Sequence, residues 1–216
     1  MVFVRSLSLV AVAALTSQAS AAVFTPPAFV GQANTTLQEW QGFTSPAGPN
    51  PASTVVNPNG TPNWFDRTAA TDDAFLIGTA PTGRIYSFGG VVNPQVDVAL
   101  PNIGPGVTTI VLQIQVSGNP IDLSTFYAQP VGGTAVASPL VTFTTSPASM
   151  GLVYQYTATW FNLPAATAYT LTYSPNASSS SQSAARVDTL SVVPEPAGLA
   201  VLALAGAGLL RRRNAR

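Results

Sequence analysis

The chain has 216 residues, 46% hydrophobic and 7% charged, with no Cys, no His and arginine as its only basic residue. Thiolate nucleophiles, Ser-His-Asp, Cys-His and Ser-Lys arrangements, and Cys/His zinc sites are thereby excluded. Arg5, Arg211, Arg212, Arg213 and Arg216 sit at the two ends, so residues 22–193 carry a net charge of −4, without the basic patch that nucleic-acid binding needs.

The N-terminus reads as an export signal. Arg5 precedes an apolar run of about ten residues, and Ala19-Ser20-Ala21 supplies the small-residue exit of a Sec-type signal peptide, with cleavage expected after Ala21. The alternative is an uncleaved N-terminal anchor, against which stand the short apolar run and the A-x-A exit. Without disulfides the segment that follows must fold on its core alone, for which about 170 residues are enough.

Residues 25–68 are rich in Pro, Gly, Asn and Thr, as in Ser45-Pro-Ala-Gly-Pro-Asn-Pro51, and predict turns and either a long loop region or weak edge strands around 37–43. No helical stripe of useful length occurs between the two ends. Further strands are predicted over 84–92 and 95–100. The clearest follows at 108–117, where Ile110, Leu112, Ile114 and Val116 alternate with Gln113 and Gln115. Strands are expected over 121–129 and 140–145. Residues 152–163 set Leu152, Tyr154, Tyr156, Ala158 and Trp160 on one face. Tyr169, Leu171 and Tyr173 repeat the pattern, and 187–193 closes the series. Turn residues such as Gly118-Asn-Pro120, Gly132-Gly133 and Ser178–Ser181 separate them. Many short strands at regular spacing predict an all-β fold, an antiparallel sandwich or barrel.

The C-terminus has three parts in order: Pro194-Glu195-Pro196, an apolar segment over 197–210, and Arg211, Arg212 and Arg213. As a helix the apolar part is roughly 21 Å long, short of the hydrocarbon core of about 30 Å. It therefore predicts a short transmembrane helix, marginal in length unless the arginines snorkel, with those arginines on the cytoplasmic side. The prolines hold the stretch before it extended and accessible. Together these parts resemble the PEP-CTERM sorting signal of bacterial exported proteins. The resemblance implies recognition by a membrane-embedded exosortase, passage from an inner-membrane precursor to the cell surface or outside, and association with extracellular polysaccharide. An ordinary tail anchor that is never cut is the alternative. The chain thus divides into a signal peptide at 1–21, an ectodomain at 22–193 and a sorting tail at 194–216. The ectodomain in turn resembles the jelly-roll-like β-sandwiches that precede such tails, with the strand ending Ser191-Val192-Val193 running directly into Pro194.

Within the ectodomain the candidates are few. Asp188 shares a strand face with Leu190 and Val192 and is expected to point inward, where a carboxylate needs a partner. By resemblance to carbohydrate-binding jelly rolls, Asp188 and Glu39 would hold a structural calcium; the alternatives are pairing with Arg186 or Arg84, or an exposed strand end. Asp72-Asp73 lacks a calcium-loop pattern and reads as a solvated turn. Trp160 ends a regular alternation and is assigned to the core. Trp64, in the loop-rich stretch, is the candidate exposed ring for stacking on sugar. Glu39, Asp66, Asp72 and Asp73 could supply a glycosidase pair, but their spacing singles out none, and no enzyme is expected. Apart from the calcium, no cofactor is implied. Three Asn-x-Ser/Thr motifs, beginning at Asn34, Asn59 and Asn176, carry little weight in an Asn/Thr-rich chain. The expected function is a structural or adhesive role at the cell surface or in the extracellular matrix, the alternative being a carbohydrate-binding module.

Overall fold

The computed structural model describes residues 24–56, 60–68, 73–80, 83–100, 107–148, 151–164 and 166–192. Fourteen strands run through them: β1 (Thr35–Trp40), β2 (Asn50–Pro51), β3 (Thr54–Val56), β4 (Asn63–Asp66), β5 (Phe75–Ile77), β6 (Arg84–Tyr86), β7 (Pro94–Ala99), β8 (Val107–Gly118), β9 (Tyr127–Pro130), β10 (Val136–Ala137), β11 (Leu140–Ala148), β12 (Gly151–Leu163), β13 (Ala168–Thr172) and β14 (Ser180–Val192). A single 3-10 turn over Leu123–Thr125 is capped by Asp122, whose carboxylate accepts from the Ser124 N–H. The fold is all-β and every strand pair is antiparallel.

The strands form two sheets. The larger has the order β11-β12-β8-β14-β1-β3, with β6 also on β14 and β5 on β6; the smaller has the order β10-β9-β13-β7-β4-β2. Their facing sides share one core. Ile110, Leu112 and Ile114 of β8, with Tyr156 and Trp160 of β12, meet Trp64, Val96 and Leu171 of the smaller sheet. Period-2 alternation therefore gave the correct inner faces for β8 and β12. Leu152 and Tyr154 continue the β12 face, but Leu152 stands exposed.

Three buried polar side chains pair across the two sheets. The indole N–H of Trp40 donates to the Asn50 carbonyl and that of Trp160 to the Val136 carbonyl, each tying the larger sheet to the smaller. Gln38 of β1 does the same with both ends of its amide. Its nitrogen donates to the Ala99 carbonyl and its oxygen accepts from the Ala99 N–H. An unpaired buried amide would cost about 1–3 kcal/mol, so these bonds fix how the sheets are seated on each other.

One edge of β14 is shared by two strands from different parts of the chain. β1 pairs with it from Leu190 to Ala185, and β6 resumes at Gln182 and Ser181. Residues 41–83 are an excursion between these two halves, closed at its base where the Phe43 N–H donates to the Gly83 carbonyl. The Pro/Gly/Asn-rich stretch is therefore less loop than expected, since it supplies β2, β3 and β4.

β14 is also longer than the predicted final strand. It starts at Ser180, within the serine run read as a turn, and a bulge falls between Gln182 and Ala184. Its first residues are small and polar, so no apolar alternation announces them. Conversely, the strand expected over 84–92 stops at Tyr86, because the Ser87 hydroxyl closes a turn onto Gly90, accepting from its N–H and donating to its carbonyl.

Candidate functional site

The residues singled out in the ectodomain are distributed differently from expectation. Trp64 is not an exposed loop residue. It lies in β4 with none of its surface accessible, 4.7 Å from the Phe43 ring centroid, and its indole N–H donates to the Tyr173 hydroxyl. That hydroxyl donates in turn to Gln182 of the larger sheet. A ring without an exposed face offers no platform to a sugar, so that assignment is corrected. Trp160 is buried as expected.

Asp188 is wholly buried, yet it does not point into the space between the sheets. Ala185 and Val187 face the core, which sets Arg186, Asp188 and Leu190 on the outer face of the larger sheet. There Arg186 grips Asp188 through two hydrogen bonds, Nε to Oδ2 at 2.7 Å and Nη2 to Oδ1 at 2.8 Å. Its third nitrogen reaches Glu39 Oε2 at 3.4 Å from the paired strand β1. Burial raises the Glu39 carboxyl above its ordinary value, and the Arg186 charge offsets this only in part. The hydrogen bond to Asp188 raises Arg186 in turn, keeping its charge. The structure does bring Asp188 and Glu39 together, but around a guanidinium. Calcium takes six to eight oxygens; both Asp188 oxygens are engaged by Arg186, and no group of three metal-ligating side chains occurs among the described residues.

Among the described carboxylates, Asp66 does not converge with Glu39. Asp66 ends β4 and its Oδ1 accepts from the Thr68 and Asn93 N–H groups. Trp64 of the same strand faces the core, so Asp66 lies on the inner side of the smaller sheet, whereas Glu39 lies on the outer face of the larger one. The sorting residues Pro194, Glu195 and Pro196, the basic stop Arg211, Arg212 and Arg213, and the signal residues Ala19 and Ala21 lie outside the described residues, as does Asp72. No helix among the described residues is long and apolar enough to cross a membrane.

What the structure assembles instead is an aromatic face. In the β5–β6 hairpin Ile85 is buried and Leu76 packs against the core, which turns Phe75, Ile77, Arg84 and Tyr86 outward. Phe75 lies directly across from Tyr86 with centroids 5.7 Å apart. The Ser87–Gly90 turn brings Phe88 to 4.5 Å from Tyr86 and 5.7 Å from Phe75. Phe88 is 67% exposed and Phe75 39%. Asp73 flanks the rings. A Cβ built on Gly89 would lie 2.6 Å from Asp73 Oδ2, so the carboxylate rests against the glycine next to Phe88. Three rings with a carboxylate on one side and Arg84 on the same hairpin face can stack on a planar apolar face and accept hydrogen bonds from hydroxyls beside it. The period-2 spacing of Arg84, Tyr86 and Phe88 was visible in the sequence; their meeting with Phe75 depends on hairpin register.

No family model matches the chain, and no curated protein matches it.

Proposed function

We propose that this chain is an exported, non-catalytic protein of the cell surface or extracellular matrix, with a structural or adhesive role, sorted through its PEP-CTERM-like tail. In this reading an exosortase acts on the tail while the helix over 197–210 holds the precursor in the inner membrane. The ectodomain is a jelly-roll-like sandwich. Two features of strand order support that finer description: β14 lies between β1 and β8 with β12 beyond, and β13 lies between β7 and β9 with β10 beyond, so that the chain crosses repeatedly between the sheets, apart from the pairs β5–β6, β9–β10 and β11–β12. The observation that carries the adhesive reading is the distribution of aromatic residues. The tryptophans are sealed in the core, while Phe75, Tyr86 and Phe88 form a cluster on the outside.

The test is the intact mass and C-terminal peptide map of the protein recovered from its native host. A chain starting near Ala22 and ending near Pro194–Pro196 supports both addresses. Retention of Arg211 to Arg216 in the membrane fraction overturns the sorting.

The second reading, a carbohydrate-binding module for matrix polysaccharide, rests on the same cluster with Asp73 beside it. Phe88→Ala should abolish retention on matrix polysaccharide while leaving the melting temperature unchanged, because Phe88 is mostly solvent-exposed. Failure of the unsubstituted protein to be retained would remove this reading.

A further inference from the structure

Sheet edges expose unpaired N–H and C=O groups, and proteins commonly keep such edges short, charged or bulged to prevent pairing with other chains. Here the outlying strands β2, β3, β5 and β10 have two or three residues each. β11 is the exception. It runs for nine residues, pairs with β12 from Leu140↔Thr159 to Ala148↔Gly151 without a register shift, and has no strand on its other side among the described residues.

Its chemistry suits pairing. Thr142 and Thr144 alternate with Val141, Phe143 and Thr145, residue types that favour strands. All but Val141 are exposed, Phe143 by 50%. Pro147, the one residue there without an N–H, stands near the far end and leaves residues 140–146 able to pair. Residues 123–185 contain no Asp, Glu, Lys or Arg.

We propose that β11 pairs antiparallel with β11 of a second copy of this chain, joining two larger sheets into one across a two-fold axis. The occupant is a second copy because a two-fold interface sets this strand against its own sequence reversed, residue i against j and j against i, with only the residue on the axis facing itself. Charges on such a strand would be brought close to the same charges on its copy and would repel, and an uncharged strand removes that cost. A charged partner would find no complement. In the joined sheet Thr142 and Thr144 form cross-strand pairs on the outer face, and Val141, Phe143 and Thr145 do so on the inner. The inference stands on edge geometry and is independent of how the chain is exported.

The chain has no cysteine of its own, so a single-cysteine scan reads the contact directly. Full-length protein in mild detergent should be dimeric by light scattering. Cysteines at 142, 143 and 144 should give covalent dimers with a maximum at one position, and Val131→Cys, on the exposed turn after β9 of the smaller sheet, should give none. The double variant Thr142→Lys, Thr144→Lys places like charges across the axis and should weaken association about tenfold or more with an unchanged melting temperature. A monomer at all accessible concentrations, cross-linking as strong at 131 as along β11, or a dimer that survives the double lysine variant would each overturn the proposal.

Discussion

Arg186 is the residue on which the outer face of the larger sheet depends. It is 7% exposed and its partner Asp188 is wholly buried, so neither charge can be hydrated if the other is lost. Arg186→Ala, which leaves the wholly buried Asp188 without its guanidinium, should therefore cost about 3–5 kcal/mol, the penalty of an orphaned buried charge, whereas replacing both residues by apolar ones of similar volume should cost much less. Urea midpoints of the single and double variants check this; equal losses would mean that the pair is not coupled. Glu39 adds a pH dependence of defined sign. Its carboxyl is raised above 4.5 in the folded chain, so the folded state holds that proton more tightly than the unfolded one. The resulting stabilisation is complete below about pH 4.5 and is lost as pH rises through the folded value. Glu39→Gln should remove that slope, and parallel stability–pH curves for the two proteins would contradict the assignment. Asp122 acts with the opposite sign, since its hydrogen bonds from Ser124 lower it below 3.8, and its contribution disappears as pH falls below that value.

At the scale of elements, the turn after β8 is a point of close approach. Gly118 has φ +87°, and a Cβ there would lie 2.2 Å from the carbonyl oxygen of Ser179, the residue just before β14. Gly132, in the turn after β9, has φ +76° with open space around it. Both substitutions to alanine carry the backbone penalty of a positive φ, but only Gly118→Ala must also displace β14. It should lower the melting temperature well beyond Gly132→Ala; equal shifts would mean that the strand end moves freely. Local pattern was a good guide where a strand is long and one of its faces is covered. β8 and β12 were legible for that reason. β4, at four residues, is too short to display a period, and its Trp64 was taken for a loop residue. β14 has small or polar residues at its start and apolar residues in both phases further on. Alternation correctly grouped Asp188 with Leu190, but it did not say which side of the sheet the core would occupy.

At the scale of the whole molecule, one core joins both sheets, with Trp40 and Trp160 contributed by one and Trp64 by the other. Unfolding should accordingly be a single transition, with tryptophan fluorescence and far-ultraviolet circular dichroism coinciding. Trp64→Ala should shift that one transition by about 3–5 kcal/mol, while Phe88→Ala leaves it in place. Separated fluorescence and dichroism curves would indicate two independently melting sheets. The composition determined what chemistry is unavailable, since absent side chains are absent in any fold. Period-2 alternation determined the all-β class, because it is a local property of an extended chain. The tertiary structure decided the rest. It buried Trp64, turned Asp188 toward Arg186, split the partner of β14 between β1 and β6, and gathered Phe75, Tyr86 and Phe88 on one surface. Each of these depends on which strands meet and on which face is covered, and such contacts join residues that lie far apart along the chain.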